Sequence, residues 1–223
     1  MQQIYPLFAL VAMALPGCAS APPPYPGDLE ARLALYASAE ACCDDPAAFA
    51  YAVLPGSGTV DIVIGADSPT FDFQSGPSRF AAFRLPDSAG PFRVHVKSFF
   101  EGRQAPEGSV FYPVLAMMDD SFIVTRVSAI ANLRLDQALA TPGGESGLAV
   151  TAPFDPGYSR ERYLVVFTPA ALLGSPPLER REGDVLTSPT LEWMERNDDQ
   201  FVAPSPFGRL RITVAPESLA GSG

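Results

Sequence analysis

The sequence predicts a mainly β protein: an antiparallel β-sandwich of jelly-roll or immunoglobulin-like order, with an amino-terminal helix and a short late helical insertion. Three observations carry this prediction. From Val60 onward apolar residues recur with a period of two in short runs, the mark of strands that bury one face. The 24 prolines and 18 glycines supply many turns and work against long helices. Helical spacing is confined to one early and one late stretch, so sheet must pack on sheet.

Residues 1–17 read as a signal peptide. The uncharged run from Ile4 to Leu15 is too short to span a bilayer and leads into Leu15-Pro16-Gly17-Cys18. That tetrapeptide resembles a bacterial lipobox. The resemblance implies a diacylglycerol on Cys18 and a further acyl chain on the new amino terminus, enough together for stable membrane attachment. Ala19 stands where aspartate would signal inner-membrane retention, so the sorting rule points to the outer membrane. Residues 18–27, with Pro22, Pro23, Pro24 and Pro26, then form an extended tether. At about 3.1 Å per residue it reaches up to roughly 30 Å.

Residues 28–46 are expected to be the helix. Asp28 is a suitable cap, Leu29, Leu33, Tyr36, Ala39 and Cys43 recur at spacings of four and three, and Asp44-Asp45-Pro46 ends the run. Cys42 and Cys43 are adjacent near its end, and three readings stay open: small buried hydrophobes, a disulfide between neighbours or between molecules, and redox or metal chemistry.

Residues 47–216 form the sandwich. Val60, Ile62 and Ile64 alternate with Asp61 and Val63; Phe71-Asp72-Phe73 and the run from Arg79 to Leu85 follow. Phe92, Val94 and Val96 alternate with Arg93, His95 and Lys97, which places the only histidine and the only lysine on a wet face. Residues 109–127 read as a hairpin at the centre of the core. Val110 to Met118 is apolar on both faces, Asp119-Asp120-Ser121 offers turn chemistry, and Pro113 marks a bulge or an edge. Leu148, Val150 and Ala152 belong to another strand, and residues 163–167 are apolar on both faces and therefore central. Leu210, Ile212 and Val214 make a half-buried closing strand. One helical turn is expected at 169–173 and a short helix from Ser188 to Asn197 around Trp193; residues 217–223 read as a loose tail.

A net charge of -10 makes nucleic acid an improbable partner, because phosphate binding needs a basic surface. No cofactor or metal is expected. The Asp pairs at 44–45, 119–120 and 198–199 lack calcium-loop spacing and fit turns. Gly144-Glu145-Ser146-Gly147 lacks the residue a nucleophile elbow needs before its second glycine, and His95 sits mid-strand. Nothing selects a carboxylate pair for glycoside hydrolysis. Trp193 and Tyr158 are the weak candidates for stacking on a sugar; for Trp193 the favoured reading is that it docks its helix onto the sheet with Leu191 and Met194.

Several segments together resemble a known family. Val110-Phe111-Tyr112-Pro113-Val114-Leu115 with Asp119 and Phe122, then Arg162-Tyr163-Leu164-Val165-Val166-Phe167-Thr168, and Gly208-Arg209-Leu210-Arg211-Ile212-Thr213-Val214 are similar to the MalM family of maltose operon periplasmic proteins. Gly76-Pro77-Ser78-Arg79-Phe80-Ala81-Ala82-Phe83 and Cys42-Cys43 resemble its lipoprotein-like members. The resemblance implies a non-enzymatic periplasmic or outer-membrane lipoprotein, accessory to maltose and maltodextrin transport, with a maltodextrin or a sugar-uptake component as partner. It implies no reaction and no site residues. A module of the envelope that binds protein and no sugar is the alternative.

Overall fold

The computed structural model describes residues 25–101, 108–136, 145–173 and 203–217. In chain order the elements are α1 (Leu29–Ala37), β1 (Ala52–Val53), β2 (Gly58–Ile64), β3 (Thr70–Phe73), β4 (Gly76–Arg84), β5 (Phe92–Phe99), β6 (Ser109–Val110), β7 (Val114–Met118), β8 (Val124–Val127), β9 (Arg134–Asp136), β10 (Gly147–Phe154), β11 (Tyr163–Phe167), α2 (Ala170–Leu173), β12 (Ala203–Pro204) and β13 (Gly208–Pro216). Short 3-10 turns lie at Pro46–Ala48 and Ile130–Asn132.

Two large sheets face each other. Sheet A runs β1-β4-β11-β7-β8, with β3 added on β4; sheet B runs β2-β13-β5-β10-β9. The pairings inside them are antiparallel except for the two-residue contact of β1 with β4. Phe83, Leu115, Met117, Leu164 and Val166 from sheet A meet Ile64, Val94, Val96, Val150, Leu210 and Ile212 from sheet B in one buried cluster. The sandwich is therefore mainly β and antiparallel, as the alternation in the sequence requires.

Sheet A has a second buried face. Phe80, Ala82, Val114, Ala116, Met118, Val165 and Phe167 point away from sheet B and are covered by Phe49, Tyr51, Phe71 and Phe73. This third layer is largely aromatic: Phe49 lies 4.3 Å from Phe80, and Phe73 stacks on Phe167 at 4.2 Å between ring centroids. The outer face of sheet B is instead laced with ion pairs: Arg211 with Asp61, Lys97 with Asp136, and Arg209 with both Glu101 and Glu145.

Several expectations need correction. The helix ends at Ala37, well short of residue 46, with Ser38 as its cap. Asp28 does cap its start, accepting from the Ala31 N–H at 2.9 Å. Beyond it the Cys42 N–H donates to the Thr70 carbonyl, so tertiary pairing overrides the helical spacing that reached Cys43. The residue α1 buries is Arg32. Its guanidinium donates to the Pro26 and Gly27 carbonyls and to the Ser109 and Ser205 hydroxyls, and it lies over the Tyr25 ring.

The hairpin within 109–127 is present, but only β7 is internal; β8 is an edge strand with Val124 and Val127 half exposed. Pro113 falls in the break between β6 and β7, and the bulge lies at Met117/Met118. The turn is held by the Asp119 carboxylate, which accepts from the Ser121 and Ile123 N–H groups, and Phe122 takes φ 61°. The closing strand β13 lies between β2 and β5, inside sheet B. Lys97 is not wet: its side chain is 12% exposed, held by Asp136 and lying against the Phe99 ring. The single turn at 169–173 is α2. The expected helix around Trp193, residues 1–17, Cys18 with most of the tether, and the tail after Glu217 lie outside the described residues.

Candidate functional site

One end of the sandwich is open. The β4–β5 loop, the β10–β11 loop and the ends of β8 and β13 surround two adjoining hollows of about 330 and 350 Å³, which share Phe154, Ser159 and Glu161. Volumes of this size suit a small ligand. The floor is the stacked pair Phe92 and Phe154, with centroids 5.1 Å apart and both rings buried.

An ion pair forms one wall. Glu161, at the base of β11, is buried, and Arg126 of β8 grips it with both arms: Nε to Oε1 at 3.0 Å and Nη2 to Oε2 at 2.9 Å. The Thr125 hydroxyl donates to the same Oε1 at 3.2 Å. Arg126 also donates to the Pro153 carbonyl of β10 at 2.8 Å and lies over the Phe154 ring, so the pair stitches sheet A to sheet B. A bidentate geometry on a buried carboxylate fixes both side chains.

The other wall is a turn. Asp155 accepts from the Gly157 N–H through its carboxylate at 2.9 Å and from Tyr158 and Ser159 through its carbonyl at 3.0 and 2.7 Å. This is the local chemistry of Asp-Pro-Gly, and it leaves the Tyr158 side chain standing in solvent, 93% exposed. Glu217 closes the rim, its backbone N–H on the Pro91 carbonyl and its carboxylate on Arg93. The cleft thus combines a flat free ring, carboxylates that accept hydrogen bonds and guanidinium groups that donate them.

The remaining sequence candidates lie elsewhere. Trp193 and Cys18 are outside the described residues. Cys42 and Cys43 sit over the outer layer of sheet A and are joined to each other as a disulfide between neighbours; Cys42 is exposed and Cys43 packs on the second core. His95 is half-buried on the outer face of sheet B, its Nδ1 2.9 Å from the Thr151 hydroxyl, and burial holds its pKa below the usual imidazole value. Among the described residues no group of three or more His, Cys, Asp or Glu is placed to hold a metal ion. Sequence reasoning named Tyr158, which lines one of the hollows, and did not name Arg126 and Glu161, which are 35 positions apart and belong to no motif. The one available signal was a charged Glu161-Arg162 pair directly ahead of a strand apolar on both faces.

No curated protein matches the chain. The model of a family described as "Maltose operon periplasmic protein precursor (MalM)" matches residues 75–214, from the start of β4 into β13, and so takes in most of both large sheets and the cleft between their ends. With well over half of the sequence matched in this way, the chain belongs to the MalM family, the maltose operon periplasmic proteins.

Proposed function

We propose that this protein is a non-enzymatic lipoprotein of the cell envelope that assists maltose and maltodextrin transport, held at the outer membrane by lipid on Cys18. The observation that carries the reading is the family match over residues 75–214. The lipobox-like Leu15-Pro16-Gly17-Cys18 supports the anchor. The open cleft supports a binding role, since its volume suits a small ligand and its buried carboxylate is held in place by Arg126 and Thr125. The test is genetic. Deleting the gene in its host should slow uptake of maltodextrin at limiting concentration. Wild-type protein should restore uptake and carry labelled palmitate in the outer-membrane fraction, whereas Cys18→Ala should be unlabelled. Unchanged uptake after deletion refutes the transport role, and an unlabelled wild type refutes the anchor.

A second reading is an envelope module that binds protein and no sugar. What favours it is the β8 edge, where Ile123, Val124 and Val127 are each more than half exposed beside strand backbone that no other described strand pairs. Capture of a partner by crosslinking from position 124, in cells whose maltodextrin uptake is indifferent to the gene, supports this alternative.

A further inference from the structure

We infer that the cleft is a binding site for a neutral oligosaccharide, with the Tyr158 ring as the stacking platform and the Arg126–Glu161 pair as the fixed polar wall. The inference rests on the carbohydrate reading above and gives that reading a place on the molecule.

Large aromatic rings stand free in solvent only at a cost, and many of the described rings pack on one another. Phe49, Phe71, Phe73, Phe80 and Phe167 form one connected set, and Tyr51, Phe122 and Tyr163 stack among themselves at 4.5 to 5.9 Å. Tyr158 touches none of these sets and is 93% exposed. It is not merely the end of a loose loop, because three backbone N–H groups of its turn are satisfied by Asp155. An exposed ring on an ordered turn beside a concave surface with a few placed polar groups is the form a small-molecule site takes.

The charges select the class of ligand. Glu161 is gripped by Arg126 and Glu217 by Arg93, and the other charges of the lining, Asp87, Asp155 and Arg162, are of both signs, so no single sign of charge is gathered there to select an ionic ligand. Hydroxyl groups need break nothing. A carboxylate holds about four acceptor sites, and the pairs leave some of them for donors of a neutral polyol. The site is also clear of the chain's own entry point. Arg32 ties residues 25–27 to Ser205 just ahead of β13, while the far end of β13 leads to Glu217 in the cleft. Nine residues of strand put roughly 30 Å between the two ends.

The experiment is titration calorimetry of the protein, purified from its host's envelope in mild detergent, with maltotriose and maltoheptaose at millimolar concentration. It compares wild type, Tyr158→Ala, Tyr158→Phe and Arg126→Lys. The result expected is saturable binding that falls tenfold or more in Tyr158→Ala, is kept in Tyr158→Phe and is weakened in Arg126→Lys. The exposure of Tyr158 means that its alanine variant should melt as wild type does, so a loss of binding is not a loss of fold. Sugar binding unaffected by Tyr158→Ala and Arg126→Lys overturns this site and leaves the transport role standing. No binding of either sugar, or binding of a polyamine such as spermine that depends on Tyr158, overturns the neutral-sugar assignment. The uptake assay reads the transport role independently of both.

Discussion

β11 and β13 are the inner strands of two sheets that differ in what lies behind them. β11 runs Tyr-Leu-Val-Val-Phe, with Leu164 and Val166 in the core between the sheets and Val165 and Phe167 in the aromatic layer on the far side. β13 buries Leu210, Ile212 and Val214, while Arg209 and Thr213 are half-buried and Arg211 is exposed. One sheet is a middle layer and the other an outer wall. A strand covered on both faces must be apolar throughout, and a strand covered on one must alternate. The difference teaches that the domain has three layers, and that Phe49, with Cys43 and Tyr51 packed beside it, belongs to its core although it precedes the regular strands.

The comparison is broken most directly at Phe80, which is 1% exposed in the outer core. Phe80→Ala should cost about 3–5 kcal/mol in urea unfolding, as for a ring in any well-packed interior. A cost below 1 kcal/mol would make the aromatic layer a loose cover and leave only two layers.

Next comes Gly147, where β10 passes β5. A Cβ there would lie 2.0 Å from the Ser98 carbonyl oxygen, a contact with backbone that no side-chain movement relieves. Gly147→Ala should destabilise by about 1–3 kcal/mol and raise amide exchange along the β5–β10 pairing. Unchanged exchange would show that sheet B tolerates slack that sheet A does not.

A smaller effect is expected on the wet face. Arg211 and Asp61 are bidentate but about half exposed, so Arg211→Ala should cost no more than about 1 kcal/mol, and the difference should shrink in 1 M salt. A large, salt-insensitive loss would mean that the outer face of sheet B is covered in the native protein.

The smallest effect is a pH slope. Burial, reinforced by Lys97 and opposed by Asp136, lowers the His95 pKa in the folded protein. The unfolded chain then binds the proton more readily. His95 therefore contributes stability that is present above its ordinary value of about 6.5 and is lost as pH falls through the lower folded-state value. Because it is the only histidine, His95→Gln should flatten the slope of melting temperature just below neutrality. An unaltered slope would place His95 in full contact with water.

Much of this architecture was legible in the sequence because the burial pattern is written in the strands themselves. Unbroken apolar residues marked β11 as central, alternation marked β5 and β13, and Asp119 with its neighbours marked the turn after β7. What escaped was decided by partners distant in the chain. β1, β6 and β12 are two residues long and β9 three, too short to show any period. Helical spacing ran on to Cys43, but the Thr70 carbonyl claimed the Cys42 N–H. Of the cleft only Tyr158 was named from the sequence, as an aromatic ring in a loop, whereas the pairing of Glu161 with Arg126 depends on β7 lying between β11 and β8.

The buried guanidinium of Arg32 has a mechanical consequence. A pull on the chain ahead of Tyr25 meets first Tyr25 itself, buried against Phe207 and bonded to Glu101, and then the Pro26 and Gly27 carbonyls, which Arg32 moors to serines on β6 and just after β12. The load is spread across two distant stretches of chain before it reaches a ladder of either large sheet, so a pull from this side does not begin by peeling a strand.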